Sequence, residues 1–508
     1  MIFKCNLSMV PLAAGVYSPF REFFMSILSR SIALGLGLSA AALGFSQSAW
    51  AVPSFARQTG LACAACHTTY PELTSFGRLF KLNGYTLTGL QQVQSSGGQG
   101  LPELKINEIP PFSAMFQTSV SHLDKSLPTN AAYKNQNNTV EFPQQMSFFF
   151  AGEISPHMGS FLQFTYDNQA QGFSIDNTDI RYANQAMGGD LIYGLDMNNN
   201  PTVEDLWQDT PAWSFPFISS DQTPSPAATL IQSLGQEVAG VGAYGMWNNL
   251  LYADVTLFRS VPTNSPRPYQ TGLDAPASSN SYGTINGVAP YWRLALQHNF
   301  GANYIEVGTY GMYATFNPGY SSNPNGLGTS PNYGYSGFNT YLDTALDAQY
   351  ERNFGDNSLV LRGTYIHEKQ TLDAAYSYNV STTGTFGSAN HSNTLNTFQV
   401  NGTYHFGDKK SLSLAYFNTS GSSDSLLYPS DANGASPGLG SASGSPDSTG
   451  YMFQATYLPW QNVQVGLQYT GYTKFNGASS NYNGAAPGQA SRSASDNNTV
   501  FVYGWFMW

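Results

Sequence analysis

From about residue 112 onward, apolar and polar side chains alternate in short runs separated by stretches rich in Gly, Ser, Asn and Pro. This is the pattern of half-buried strands joined by turns and loops. Between residues 461 and 472, Val463, Val465, Leu467 and Tyr469 fall on one face, with Gln464, Gly466, Gln468 and Thr470 on the other. Leu412, Leu414 and Tyr416 alternate in the same way with Ser411, Ser413 and Ala415. In residues 341–351 the polar face is ionised: Asp343, Asp347 and Glu351 share a phase opposite Leu342, Leu346 and Tyr350. One face suits lipid and the other water, and ionised groups belong on the inner face because lipid penalises them.

The pattern predicts strands over 112–122, 140–153, 159–167, 173–183, 188–198, 235–248, 249–259, 289–300, 302–314, 337–352, 358–370, 395–407, 410–419, 449–459, 461–472 and 497–508. That is about sixteen, an even number as bacterial single-chain barrels require. Connections after odd-numbered strands are mostly long (199–234, 261–288, 421–448), whereas those after even-numbered strands shrink to turns such as Asp408-Lys409 and residues 353–357. Short turns face the periplasm and long loops the outside. The expected fold is all-β, a transmembrane antiparallel barrel over residues 111–508. The last nine residues, Val500 to Trp508, look like the closing-strand signal read by the outer-membrane insertion machinery. Both of their faces are apolar, so periodicity does not assign the lumen side.

Composition narrows the classes. Lys and Arg number 20 against 31 Asp and Glu, a net charge of −11, and only 10% of residues are charged. That is far below the roughly 25% of a soluble globular protein. With 41% hydrophobic and 14% aromatic residues, the chain also lacks the composition of a disordered one. No run beyond residue 50 approaches the ~20 apolar residues of a spanning helix, and with a negative net charge and no basic run nothing points to nucleic acid. Outer-membrane lipid is the expected surround. Residues 421–450 read as an extracellular loop and residues 91–100 as a spacer, both low in complexity.

Residues Met25 to Ala51 read as a secretory leader: an Arg-bearing start, an apolar core from Ile32 to Phe45, and a small-x-small end at Ala49-Trp50-Ala51. Met25 offers an alternative start, and cleavage after Ala51 removes Cys5 along with residues 1–51. Cys63 and Cys66 are then the two remaining thiols, in Cys63-Ala64-Ala65-Cys66-His67. In C-x-x-C-H the thiols add across the vinyl groups of haem, and the adjacent His ligates the iron. A zinc site wants four ligands and has no second Cys pair. A redox dithiol wants a βαβ setting, and a vicinal disulfide stays open. The expectation is one covalent haem c per chain, with His67 as proximal ligand, carried by a plug with spacer over residues 52–110.

The stretch Ala51 to Gly60, then Cys63 to His67, then Pro71 to Tyr85 resembles the N-terminus of the fused monohaem cytochrome-porins of the outer membrane, whose best-known members are Fe(II) oxidases. The motif covers residues 51–88, and the order of parts agrees: a one-haem segment, then a barrel. Residues 198–207 and Thr210-Pro-Ala-Trp213 are similar to relatives as well. The resemblance implies that Cys63 and Cys66 hold the haem, that His67 ligates the iron, and that Phe55, Arg57 and Gln58 surround it. Arg57 has two readings, a propionate partner or a contact between plug and wall. For the distal ligand Met115 comes first, because it shares a face with Ser113, Gln117 and Ser119. Met146, His122, His157, a water or no ligand stay open.

The leading functional expectation is an electron conduit from an extracellular reductant, Fe(II) in the first place, through the haem to a periplasmic carrier such as a soluble cytochrome. Enzymatic Fe(II):cytochrome c oxidoreduction follows only if iron is the donor. The alternatives are a haem-plugged porin that binds or transports a solute, and outward electron flow to an extracellular acceptor. Oxygen ligands of Asp and Glu suit iron, but Glu204, Asp205, Asp209, Asp221 and Asp424 show no ligand spacing and are read as solvated loop acids.

Overall fold

The computed structural model describes residues 52–90, 92–95, 103–127, 137–138, 140–168, 172–260, 284–317, 337–382, 387–431, 439–485 and 490–508. The expected leader and most of the expected loop 261–288 lie outside these residues. Three short helices come first: α1 (Pro53–Thr59), α2 (Cys63–Cys66) and α3 (Ser75–Leu82). A proline opens α1, and Gly60 ends it in the left-handed conformation at φ 69°, a C-terminus that glycine adopts without strain. Thr74 caps α3 by accepting from the Gly77 amide. Within the expected spacer, β1 (Gln92–Ser95) and β2 (Leu104–Asn107) pair as an antiparallel ladder.

The wall follows as β3 (Phe112–Leu123), β4 (Val140–Ser155), β5 (Met158–Asp167), β6 (Gly172–Ala186), β7 (Leu191–Asn198), β8 (Val238–Trp247) and β9 (Leu251–Ser260). The two-residue β10 (Thr284–Ile285) extends one edge, and β11 (Ala289–Phe300), β12 (Asn303–Asn317), β13 (Asn339–Phe354) and β14 (Asn357–Leu372) continue the wall. It ends with β15 (Ser392–Phe406), β16 (Lys410–Gly421), β17 (Ser448–Trp460), β18 (Val463–Lys474) and β19 (Thr499–Met507). Each wall strand pairs antiparallel with its neighbours; β9 joins β11 directly, and β19 pairs with β3. Setting β10 aside from the seventeen strands of the sheet leaves a closed ring of sixteen, and each of the sixteen expected strands has its counterpart there.

Closure fixes which face is which, because a period of two sends alternate residues to opposite sides. Leu346, Leu414 and Val241, at 63%, 65% and 61% exposed, point outward as a lipid-facing band. On β19 the inner face is Thr499, Phe501, Tyr503, Trp505 and Met507, and the outer face carries Val500, Val502 and Phe506. A ring of exposed aromatics lies where strands meet the short turns: Trp247, Phe300, Phe354, Phe406, Trp460 and the terminal Trp508. Such a girdle marks the level of the lipid headgroups.

The lumen is filled from both ends. From the short-turn end the α1–α3 plug enters. From the long-loop end the connection between β7 and β8 folds inward, so that residues 198–210 are all buried. This corrects the solvated reading of its acids. Glu204, Asp205 and Asp209 lie in the lumen among wall residues, and Asp424 is buried in a loop where it accepts from Ser388, the Ala389 amide and Asn393. Asp221 alone of the five remains exposed.

Candidate functional site

The plug is held to the wall by polar contacts around its circumference. Gln58 reads the β4 backbone like an added strand, donating to the Ala151 carbonyl at 3.1 Å and accepting from the Glu153 amide at 3.2 Å. Gly152 lies between those two residues, and a Cβ there would fall 2.3 Å from Gln58 Nε2, so glycine is required for this approach. Arg57 donates to the Phe112 carbonyl at 2.5 Å. Both side chains are thus spent on the wall, and neither lines the cavity described below. The expected haem surround keeps only Phe55, whereas the wall-contact reading of Arg57 matches the geometry.

Three plug residues tie its second half to the wall and to the inward loop. Arg78 pairs with Glu351 at 2.5 Å, Glu72 receives Arg362 Nη1 at 2.7 Å with His405 Nε2 at 3.0 Å, and Lys81 donates to the Val203 and Asp205 carbonyls, each at 2.6 Å. Burial alone would raise the Glu72 carboxyl, but Arg362 and then His405 outweigh it and hold the group down to about 2. Strand periodicity cannot reveal such cross-lumen pairs, because their partners lie 290 residues apart in the case of Arg362 and Glu72.

These anchors surround a cavity of about 500 Å³. Its lining includes Cys63, Cys66, His67, Phe55, Met115 and Met507, and the inward loop contributes Gln208 and residues 211–217. The two cysteines are reduced thiols, not joined in a disulfide. Burial pushes Cys63 up to about 12 and Cys66 up to about 11. A reactive dithiol lowers its thiols instead. His67 Nδ1 lies 3.1 Å from the Pro71 carbonyl oxygen; that oxygen can only accept, so Nδ1 carries the proton and Nε2 keeps its lone pair. Burial pulls the imidazole down to about 4, partly offset by that hydrogen bond, so the ring is neutral at physiological pH. A neutral imidazole with one nitrogen fixed by a backbone carbonyl is prepared for ligation through the other. Gln208 braces the same turn, donating to Pro71 O at 2.8 Å and accepting from the Leu73 amide at 2.6 Å.

The geometry also sorts the distal alternatives. Met115 faces inward and lines the cavity. Met146 falls in the outward phase of β4, His122 is exposed on β3, and His157 is exposed in the turn before β5. Met507 was not among the expected residues; it joins the lining because β19 presents its Thr499 phase to the lumen. A donor set of two thiols, an imidazole with a free nitrogen and two thioethers fits haem c.

Neither a protein-family model nor a curated protein sequence matches the chain. Among solved structures it is similar to Salmonella typhi OmpF in a complex with daunomycin, with TM-score 0.43 and 14% identity over 78% of this chain and 97% of that one. The outer membrane channel DcaP of Acinetobacter baumannii matches with TM-score 0.40 and 9% identity over 79% and 97% of the two chains. Pseudomonas putida OprB matches with TM-score 0.40 and 12% identity over 78% and 94%. The chain itself is a closed antiparallel β-barrel of sixteen strands with an apolar outer band.

Proposed function

We propose that the cavity holds one haem c, joined through Cys63 and Cys66 and ligated by His67, and that the barrel is an electron conduit between an extracellular donor, Fe(II) in the first place, and a periplasmic carrier. What carries this reading is the convergence of both thiols, the His67 ring and two thioethers on one cavity of about 500 Å³. That volume lies within the range of cofactor sites, ~300–1,000 Å³. A haem bound there supplies a one-electron Fe(III)/Fe(II) couple. The chain's own part is to fix the His67 tautomer through Pro71, to brace that turn with Gln208, and to exclude water with Phe55, Phe149, Phe161 and Trp505. On this reading the chain belongs with the fused monohaem cytochrome-porins it resembles in residues 51–88.

A second reading, a haem-plugged porin that binds or transports a solute, is favoured by the sixteen-strand wall, the architecture of outer-membrane channels. The filling of the lumen by the plug and by residues 198–210 weighs against an open solute path. Outward electron flow differs from the leading reading in the potential of the site relative to its partners. The test of the haem itself is to produce the chain with haem-attachment machinery and run it on a denaturing gel. Haem that stays with the polypeptide and is lost in Cys63→Ala/Cys66→Ala is the expected result. Wild-type chain without covalent haem under those conditions would overturn the proposal.

A further inference from the structure

Beside the cavity lies a second constellation that the haem reading does not use. Asp209 of the inward loop, Glu306 of β12 and Asp347 of β13 are buried, and one ligand oxygen from each lies within 4.8 Å of the others. The cation in direct contact with them is Arg293 of β11, which meets them through a single nitrogen: Nη2 lies 2.6 Å from Asp347 Oδ2, 3.3 Å from Asp209 Oδ1, 3.4 Å from Asp205 Oδ1 and 3.5 Å from Glu306 Oε1. One guanidinium therefore faces four carboxylates. The oxygens Asp209 Oδ2, Asp347 Oδ1 and Glu306 Oε2 are buried and receive no hydrogen bond from an amide, hydroxyl or cationic group, and Glu306 meets Asp209 and Asp347 carboxyl to carboxyl, contacts that need a shared proton or a bridging cation. Buried carboxylate oxygens in that state are costly unless a cation or a proton occupies the space between them. That space is kept open by Gly308, where a Cβ would fall 2.8 Å from both Asp347 Oδ1 and Glu306 Oε1.

We propose that Asp209, Glu306 and Asp347 bind a divalent cation of the oxygen-preferring class inside the lumen, with Arg293 holding the opposite edges of Asp209 and Asp347. Carboxylates suit hard divalent ions such as Mn(II) and Mg(II), and they accept Fe(II). The site adjoins the cavity through neighbouring residues: Gln208 donates to Pro71 O, the acceptor of His67 Nδ1, while Asp209 enters the carboxylate cluster. A cation there sits on the loop segment that braces the His67 turn. The proposal goes beyond the haem reading, because none of its residues belongs to the C-x-x-C-H segment.

The probe is Mn(II), titrated into the purified full chain and followed by loss of the free-ion EPR signal. The titration is repeated on the Cys63→Ala/Cys66→Ala chain, so that cation binding and haem binding fail separately. One equivalent is expected in both, weakened roughly tenfold or more by Glu306→Gln or Asp347→Asn and unchanged by Asp221→Asn. Heat-modifiable gel migration checks that each variant is folded. Gly308→Ala fills the space without altering charge and is expected to weaken binding as well; it carries the test if the charge variants do not fold. Absence of Mn(II) binding, or equal binding by wild type and the folded variants, overturns the site and leaves shared protons as the occupants.

Discussion

Met115 and Met507 are register partners across the seam where the first and last wall strands meet, and both side chains enter the cavity that holds Cys63, Cys66 and His67. Closure of the barrel thus supplies two thioethers to the side of the site that the plug leaves open. Gln117 Nε2 lies 3.6 Å from the Met115 sulfur, and so one of the two already has an amide neighbour.

One of these thioethers is expected to be the distal ligand. Ferric and ferrous spectra of Met115→Ala and Met507→Ala assign it: the ligand's removal converts a low-spin spectrum to a high-spin one, and removal of the other leaves it intact. Low-spin spectra in both variants would exclude the wall methionines.

The Glu72–Arg362 pair predicts a pH limit for plug docking. Glu72 is held at about 2 in the fold against an ordinary value of 4.5, so its contribution is complete above about 4.5 and is lost as pH falls from there toward 2. Arg362→Met leaves a buried carboxylate without its main partner and is expected to cost about 3–5 kcal/mol. Protease access to the plug, followed against pH, is expected to rise in wild type only below about pH 4.5 and to be high at neutral pH in the variant. An unchanged variant at neutral pH would show that Arg362 does not hold the plug.

Gly77 faces the carbonyl of Cys66, and a Cβ there would fall 2.4 Å from that oxygen. Gly77→Val therefore pushes α3 away from the C-x-x-C-H turn. Covalent haem per chain is expected to fall severalfold while the barrel still forms. Full haem loading in Gly77→Val would mean that the turn tolerates displacement of α3.

The filled lumen predicts a poorly conducting barrel. Replacing residues 200–232 by a short Gly-Ser linker removes the inward loop, and single-channel conductance in planar bilayers is expected to rise well above that of wild type. Equal, large conductance in both would favour the solute-porin reading.

Much of the wall was legible in the sequence, because lipid enforces strict alternation: Leu412 and Leu414 outward with Ser411 and Ser413 inward fixes both strand and face. The C-x-x-C-H segment was legible because its chemistry is local. What alternation could not show is anything that crosses the lumen. Asp205 and Asp209 sit in a segment with the turn residues of an exposed loop, but Asp205 there accepts from the amides of Trp207, Gln208, Asp209 and Thr210 and organises a buried turn. The available clue was Trp207 and Trp213, two of only eight tryptophans in the chain, in a loop read as solvated. Gln58 was placed beside the haem by resemblance and Arg57 left between a propionate and the wall, and the β4 backbone and the Phe112 carbonyl explain where they go. Met507 was hidden because both faces of the last strand are apolar.

The central claim is tested most directly by the visible spectrum of isolated outer membranes carrying the haem-loaded chain, recorded before and after Fe(II) is added outside, with Cys63→Ala/Cys66→Ala as control. Sharp reduced c-type bands are expected on Fe(II) addition, and none in the control. Bands that form with dithionite but never with Fe(II) would contradict iron as the donor, and bands absent under both would contradict the haem site itself.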